Sequence, residues 1–249
     1  MKNILITGAT SGLGLMLSRH FNNKGFDLVL TGRDKKKIIS LKKELKDKNK
    51  PNCFALDLTK KKNFLSFLRI IKTKKKIDIV IHCLGGGFGM HSPNISKDDL
   101  NFLFNINVSI AVGINKVILD EKKYNKDLKI IHIGSVASIE STASVGYSMV
   151  KASLIAYTKS LSKVLINQNI FIHCVLLGAF EYENNSFERL KIRNKKIYNQ
   201  FIKKNLPMKK IARAENFLGL FDLLTSVAGD PLAGSSIVAD YSETNSFRI

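Results

Sequence analysis

The strand-like run Asn3 to Thr7 passes without a break into Thr7-Gly8-Ala9-Thr10-Ser11-Gly12-Leu13-Gly14, and no other stretch limits the possible folds so tightly. A chain that leaves a strand and enters a helix near Leu13 needs a tight turn, for which Gly8 is suited. Gly12 lets backbone approach a phosphate, and Gly14 lets the helix pack closely on the strand. The unpaired N–H groups and the dipole at such a helix start favour a pyrophosphate. Glycine-rich junctions also arise from turn chemistry alone, so the pattern gains meaning from the rest of the chain.

Beyond Gly14, apolar runs alternate with amphipathic segments. Strands are expected near 3–7, 27–31, 52–56, 78–83, 129–133, 170–176 and 236–240, and helices near 13–24, 35–47, 60–72, 98–121, 144–168 and 214–224. Gly25, Pro51 and Gly113 are the clearest interruptions. This is the pattern of an α/β fold, a doubly wound parallel seven-stranded sheet with helices on both faces. At 249 residues and 45% hydrophobic content, residues 1–249 suffice for one domain with a sizeable core. Met1-Lys2-Asn3 does not resemble a signal peptide, and no apolar run looks long enough to span a bilayer, so a cytoplasmic protein without membrane contact is expected.

Cys53, Cys83 and Cys174 are widely spaced in predicted core strands and read as small buried hydrophobes, with no disulfide. Metal-ligand spacing is absent among the cysteines and five histidines, so no metal is expected. The formal charge of +20 includes the runs Lys35-Lys36-Lys37, Lys60-Lys61-Lys62 and Lys74-Lys75-Lys76. These fall on helices or helix ends scattered around the sheet, with little aromatic interleaving for base stacking. A solvated basic surface is the expected reading, and nucleic acid is not an expected partner.

Tyr147 and Lys151 stand one helical turn apart on a predicted helix and project from one face. Lowering a phenol from about 10 to about 7 takes roughly 4 kcal/mol, which one ammonium about 4 Å away supplies at an effective dielectric of about 20. Tyr147 then becomes a proton donor at neutral pH. Ser135 comes after Ile130-Ile131-His132-Ile133, at the C-terminal end of a predicted parallel strand, where ligands bind in open α/β sheets. Its hydroxyl is placed to hold a carbonyl oxygen for Tyr147. Each signal alone is weak, since a strand-end Ser is commonly a turn residue.

Together and in this order, these residues resemble the short-chain dehydrogenase/reductase family over nearly the whole chain. The family's cofactor loop matches Thr7 to Gly14, including Gly8, Thr10, Ser11, Gly12, Leu13 and Gly14, and its adenine-contacting Asp matches Asp57, with Leu58 next in the chain. Its catalytic residues match Asn107, Ser135, Tyr147 and Lys151. The resemblance implies that Tyr147 and Lys151 also touch the nicotinamide ribose and that Asn107 supports a water relay. A buried, hydrogen-bonded helix residue is the alternative reading of Asn107. The resemblance also implies a homodimer or homotetramer, with the Tyr147 helix and the C-terminal segment as contacts.

Three positions depart from the family pattern. His82-Cys83-Leu84-Gly85 stands where Asn-x-Ala-Gly is usual; Gly85 still permits cofactor approach, and His82 is either a substitute donor or a satisfied core residue. Leu177-Gly178 replaces Pro-Gly, leaving Gly178 as the cofactor-side glycine, and Tyr241-Ser242 replaces a glycine pair. After the second strand stands Gly32-Arg33, with no acidic residue for the adenosine ribose. A guanidinium there pairs with a 2′-phosphate, so NADP(H) is expected in preference to NAD(H), unless Arg33 is only a solvated loop residue.

The longest irregular stretch, Ala179 to Met208, is the expected substrate lid. Phe187, Leu190, Ile197, Tyr198, Phe201 and Ile202 have near-helical spacing for packing down on a pocket, while Arg189 and Arg193 are expected to face solvent. The expected activity is hydride transfer between NADP(H) and a carbonyl/secondary-alcohol pair. A small-molecule sugar derivative of surface-polysaccharide biosynthesis is the first substrate reading, through a weak similarity of residues 181–190 to lids of such family members. Two alternatives stand beside it: a 3-oxoacyl-carrier-protein reductase, whose acidic carrier suits a basic surface, and a cofactor-binding scaffold or regulator without turnover.

Overall fold

The computed structural model describes residues 2–45, 51–73, 76–183 and 185–246; the expected end of the second helix, Lys74, Lys75 and Asn184 lie outside them. Strands β1 (Asn3–Thr7), β2 (Asp27–Gly32), β3 (Asn52–Ala55), β4 (Ile79–His82), β5 (Leu128–Ile133) and β6 (Ile170–Leu177) fall within a residue or two of their expected positions. Two further strands, β7 (Phe180–Glu181) and β8 (Ala212–Arg213), form a separate parallel ladder, and β9 (Ser236–Ala239) closes the main sheet. That sheet is seven-stranded and parallel, in the order β3-β2-β1-β4-β5-β6-β9.

Alternation along each strand feeds a core on either face. Ile4 and Ile6 of β1 pack with Leu13, Leu17 and Phe21 of α1 (Gly12–Asn23). Leu5 faces the opposite way, towards Phe67 and Ile71. Helices α2 (Lys35–Glu44) and α3 (Lys61–Thr73) come after β2 and β3, as expected of right-handed crossovers. The strand order reverses between β1 and β4, so the crevice beyond their C-terminal ends is the ligand site of such a sheet.

Helix α4 (Lys97–Phe104) continues through a π-turn, Asn105–Ser109, into α5 (Ile110–Asp120). The expected interruption at Gly113 is not a break. A Cβ there would lie 2.7 Å from Phe64 Cζ, so the glycine serves close helix packing inside α5. Contrary to the sequence expectation, Lys97–Asp120 is long and apolar enough to cross a membrane by length and composition. In this fold Leu103, Ile106, Ile110, Ile114 and Ile118 are buried, and with them Asn107 and Asn115.

Helix α6 (Val145–Leu165) carries Tyr147 and Lys151 and packs on β6. The stretch expected to be irregular contains α7 (Ser186–Arg193) and α8 (Lys195–Asn205), each started by an asparagine. Asn185 accepts from Glu188 N at 2.8 Å and Asn194 from Ile197 N at 3.0 Å, satisfying helix-start donors. Phe187 meets Phe201 with ring centroids 5.2 Å apart, and Tyr198 is buried, whereas Ile197 is exposed and leaves the expected packed set. The β7–β8 ladder clamps the base of this hairpin before α9 (Leu218–Thr225).

Tyr241 and Ser242, which replace the family's glycine pair, both adopt left-handed backbone, with φ of 54° and 62°. Such a conformation costs a non-glycine residue roughly 1–2 kcal/mol, partly offset by the entropy glycine loses on folding. Ser242→Gly is therefore expected to stabilise the protein by about 0.5 kcal/mol and raise the melting temperature by about 1–2 °C, measured by differential scanning calorimetry.

Candidate active site

At the switch point the loops after β1 and β4 touch. Gly8 has φ +67°, and a Cβ on it would stand 3.0 Å from the Cys83 carbonyl and the Leu84 nitrogen. A Cβ on Gly14 would come 2.3 Å from Gly8 O, so the close packing at Gly14 is against the turn at Gly8, not against β1 as the sequence suggested. Ser11 precedes α1 in extended conformation, its side chain makes no capping bond, and the first turn holds no acidic residue. The start of α1 thus keeps backbone donors and positive potential directed at the crevice. Leu13 is buried in the core, so its side chain is not open to a ligand.

Thr10 packs its side chain on Gly32, where a Cβ would meet Thr10 Cγ2 at 2.5 Å. This brings the glycine loop against the end of β2, where Arg33 is exposed. Asp57 Oδ1 accepts from Thr59 N at 3.0 Å and Thr59 Oγ1 at 2.6 Å. Partial burial pushes this carboxyl up, but those bonds and the charges of Lys60 and Arg33 outweigh it and hold the group below its ordinary value. Leu58 is buried among core side chains, leaving its backbone alone for any ligand contact. The positive-φ glycines, the uncapped helix start, and Arg33 and Asp57 beyond the ends of β2 and β3 fit a dinucleotide.

Ser135 lies directly after Gly134, beyond β5. Its Oγ accepts from Ala137 N at 3.2 Å and lies near enough to the Tyr147 hydroxyl to oppose a rise of that phenol. Buried Lys151 donates from Nζ to Ile133 O at 2.8 Å and stands 5.6 Å from the Tyr147 ring centroid. Burial pushes its ammonium down to about 8, so it still carries charge at neutral pH. The drop in Tyr147 expected from the sequence is not met: burial raises the phenol above its ordinary value, against the opposing effect of Ser135, and nearby Tyr182 raises it further. Desolvation is the largest influence on the phenol.

Asn107 sits in the π-turn and is bonded on every side. Its Nδ2 donates to Leu103 O at 2.9 Å and Gly86 O at 3.0 Å, and its Oδ1 accepts from Gly86 N at 2.9 Å. Gly85 has no room for a side chain, since a Cβ would stand 2.5 Å from Asn107 Oδ1 and 3.4 Å from Lys151 Nζ. Gly178 is hemmed in from another side. A Cβ on it would meet Glu243 Oε2 at 2.6 Å and Asp240 Cβ at 2.7 Å, which gives it a packing purpose against the C-terminal segment.

His82 is a buried core residue that also ties elements together, bonded at Nε2 with its Nδ1 left unpartnered among the described residues. Its Nε2 bonds Asn115 Oδ1 at 2.8 Å, and its ring stacks on His132 of β5, 5.0 Å between centroids. Asn115 Nδ2 reaches His132 Nε2 at 3.4 Å and Tyr157 Oη at 3.3 Å. Sequence reasoning missed this cluster, although His132 and His82 occupy matching registers in the pair β4–β5. It also missed Tyr182, which lies in the crevice. Cys174 is buried as expected, but Cys53 and Cys83 are half-buried, and Cys83 stands past the end of β4. Burial pushes the three thiols up to about 11, 12 and 11 for Cys53, Cys83 and Cys174, so none is a thiolate at neutral pH.

The chain matches the short chain dehydrogenase family over residues 2–191 and belongs to it. It is accordingly an NAD(P)-dependent oxidoreductase acting on CH–OH or carbonyl groups. It is 28% identical over 186 residues to a diacetyl reductase [(S)-acetoin forming] of Staphylococcus epidermidis, covering 73% of this chain and 72% of that one. It is 26% identical over 178 residues to a 3-oxoacyl-[acyl-carrier-protein] reductase of Rickettsia felis, covering 71% and 72%. Among solved structures, the NADPH-dependent reductase YwfH of bacilysin biosynthesis superposes with TM-score 0.89 at 23% identity, over 99% of both chains. The L-sorbose reductase of Gluconobacter frateurii, complexed with NADPH and L-sorbose, gives TM-score 0.88 at 21% identity over 99% of this chain and 97% of that one.

The buried imidazoles make stability depend on pH. Burial pushes His82 and His173 down to about 4 and holds His132 well below its ordinary 6.5. Between pH 6.5 and 4 the unfolded chain binds these protons and the fold does not, so stability is full above about 6.5 and falls on acidification. The expected loss is roughly 3 kcal/mol by pH 4 from His82 alone. Thermal melts at pH 7.5 and pH 5.0 check it: His82→Asn should shrink the difference between the two midpoints.

Proposed function

We propose that this protein is an NADP(H)-dependent reductase that interconverts a carbonyl and a secondary alcohol, with Ser135, Tyr147 and Lys151 as its catalytic residues. The observation that carries the reading is the meeting of these three at one end of the crevice, with Lys151 Nζ 5.6 Å from the Tyr147 ring centroid and Ser135 near the Tyr147 hydroxyl. Bound dinucleotide supplies or accepts the hydride. Ser135 holds the substrate oxygen, and Tyr147 passes its hydroxyl proton to that oxygen in the reducing direction. Lys151 keeps a positive charge behind the phenol and favours its ionised form once the proton has left. Asn107 holds the Gly86 peptide and so shapes the floor on which the ring of the cofactor rests.

Gly8, Thr10, Ser11, Gly12, Leu13 and Gly14 hold the pyrophosphate side, Asp57 and Leu58 the adenine, and Gly85 and Gly178 the nicotinamide side. Arg33 selects NADP(H) over NAD(H) by pairing with the 2′-phosphate, and the two NADPH-associated structural neighbours agree with that direction. Residues 179–208 form the substrate lid, and the protein works in the cytoplasm. The exposed apolar residues Phe104, Val145, Met149, Val164 and Ile166 on or next to α4 and α6 support a homodimer or homotetramer. A sugar derivative is the first substrate, and a 3-oxoacyl-carrier-protein is the alternative, which the name of the Rickettsia relative supports.

Titration by NADPH fluorescence should show binding at least about tenfold tighter than NADH, a gap that Arg33→Ser largely removes. Equal affinity for the two in the native protein defeats the selectivity. In a panel holding a 3-oxoacyl thioester and keto sugars, Tyr147→Phe should lower kcat by about a hundred- to ten-thousandfold with NADPH binding retained.

A further inference from the structure

Tyr182 lies where the dinucleotide reading needs open space. Its Cε2, Cζ and Cδ2 stand 2.6, 2.7 and 2.9 Å from the position of a Cβ on Gly12, so the ring edge rests on the Gly12 backbone. Gly12 has φ +52° and opens α1, so on the dinucleotide reading its bare face lies on the approach to the helix-start N–H groups. A phosphate oxygen must come within about 2.9 Å of such donors to bond them. Ring and phosphate therefore compete for one surface.

The ring is also tied to the hairpin. Tyr182 packs on Phe180 with centroids 5.5 Å apart, and Phe180 meets Phe217 edge-on at 5.5 Å. The Tyr182 carbonyl accepts from Asn185 N at 3.1 Å, and Asn185 Nδ2 donates to Phe180 O at 2.7 Å while its Oδ1 caps α7. On the preceding side Glu181 is held by Tyr198 Oη at 2.7 Å and Lys191 Nζ at 3.0 Å, from α8 and α7. The turn that aims the ring is thus built from residues that also anchor both hairpin helices. The other end of the side chain lies within electrostatic reach of Tyr147, Cys83 and Arg189.

We propose that Tyr182 is a gate on the cofactor loop: its ring takes the face of Gly12 that the pyrophosphate of NADP(H) must take, so cofactor binding requires its displacement and moves the α7–α8 hairpin with it. The proposal rests on the reading of Gly8 to Gly14 as the dinucleotide site. The closed position lowers the apparent affinity by the fraction of molecules with the ring withdrawn. Tyr182 is a selecting residue for cofactor entry and takes no part in proton transfer.

Stopped-flow mixing with NADPH, monitored by its own fluorescence in a chain without tryptophan, tests the gate. Tyr182→Ala should bind three- to tenfold tighter and associate correspondingly faster, while Tyr182→Phe, which keeps the ring, stays near the native values. Trypsin should cut the Lys/Arg-rich segment 189–204 of the native protein at a rate that changes on adding NADPH; in Tyr182→Ala the rate should already be high without it. Tyr182→Thr repeats the test if the alanine variant loses its cooperative melt. Unchanged or weaker NADPH binding by a folded small-residue variant overturns the gate while leaving the dinucleotide reading intact. Failure of native protein and variants alike to bind millimolar NADPH or NADH overturns the underlying reading and the gate together.

Discussion

The two-way clamp between the Asn107 side chain and the Gly86 peptide is the contact on which the crevice depends. It takes both the N–H and the carbonyl of Gly86 and adds the Leu103 carbonyl, so a single amide joins the β4 loop to the α4–α5 helix. The π-turn at Asn105–Ser109 makes this possible, because an extra residue in the turn redirects a side chain at small cost. Gly85 is then caught between Asn107 and Lys151, with space for a hydrogen and nothing larger. Lys151 in turn hangs from Ile133 O at the end of β5. Two strands and two helices meet through these few bonds.

Behind that floor lies a polar interior. His82, Asn115, His132 and Tyr157 bring together β4, α5, β5 and α6 with no charged member at neutral pH. A second cation beside Lys151 would raise the cost of burying its ammonium, and neutral imidazoles avoid that cost. The cluster buries hydrogen-bonding groups for a geometric return: it fixes α6, with Tyr147 and Lys151 on it, against the strands whose ends carry Ser135 and Gly85. Hydrogen-bonded polar groups in a low-dielectric interior specify one arrangement of neighbours more sharply than apolar packing does, although His82 Nδ1 and His132 Nδ1 have no partner among the described residues.

The other wall is formed by the hairpin between β7 and β8. It is joined to the sheet through the aromatic series Tyr182, Phe180, Phe217 and Tyr241, in which successive rings are 5.5 to 6.3 Å apart. Tyr241 stands in left-handed backbone at the far end of that series, so a departure from the family's glycine pair and an unforeseen aromatic in the crevice belong to one packed unit. The Glu243 carboxylate, held up by burial, accepts from Ala179 N at 2.5 Å and closes the same region from the C-terminal side.

Much of this was legible in local pattern. Alternation in Ile4-Leu5-Ile6 and the glycine spacing after it determined strand, turn, helix and sheet class, since period and turn chemistry are properties of neighbours in sequence. The one-turn spacing of Tyr147 and Lys151 determined that they share a face. Local pattern did not reveal α7 and α8, whose Asn185 and Asn194 caps were present but obscured by a highly charged stretch, nor the purpose of Gly113, which Phe64 from another helix decides. Tertiary structure alone raised Tyr147 above its ordinary value, paired His82 with Asn115 and set Tyr182 on Gly12. Each of those outcomes depends on desolvation or contact between segments far apart in the chain, and sequence spacing carries no measure of either.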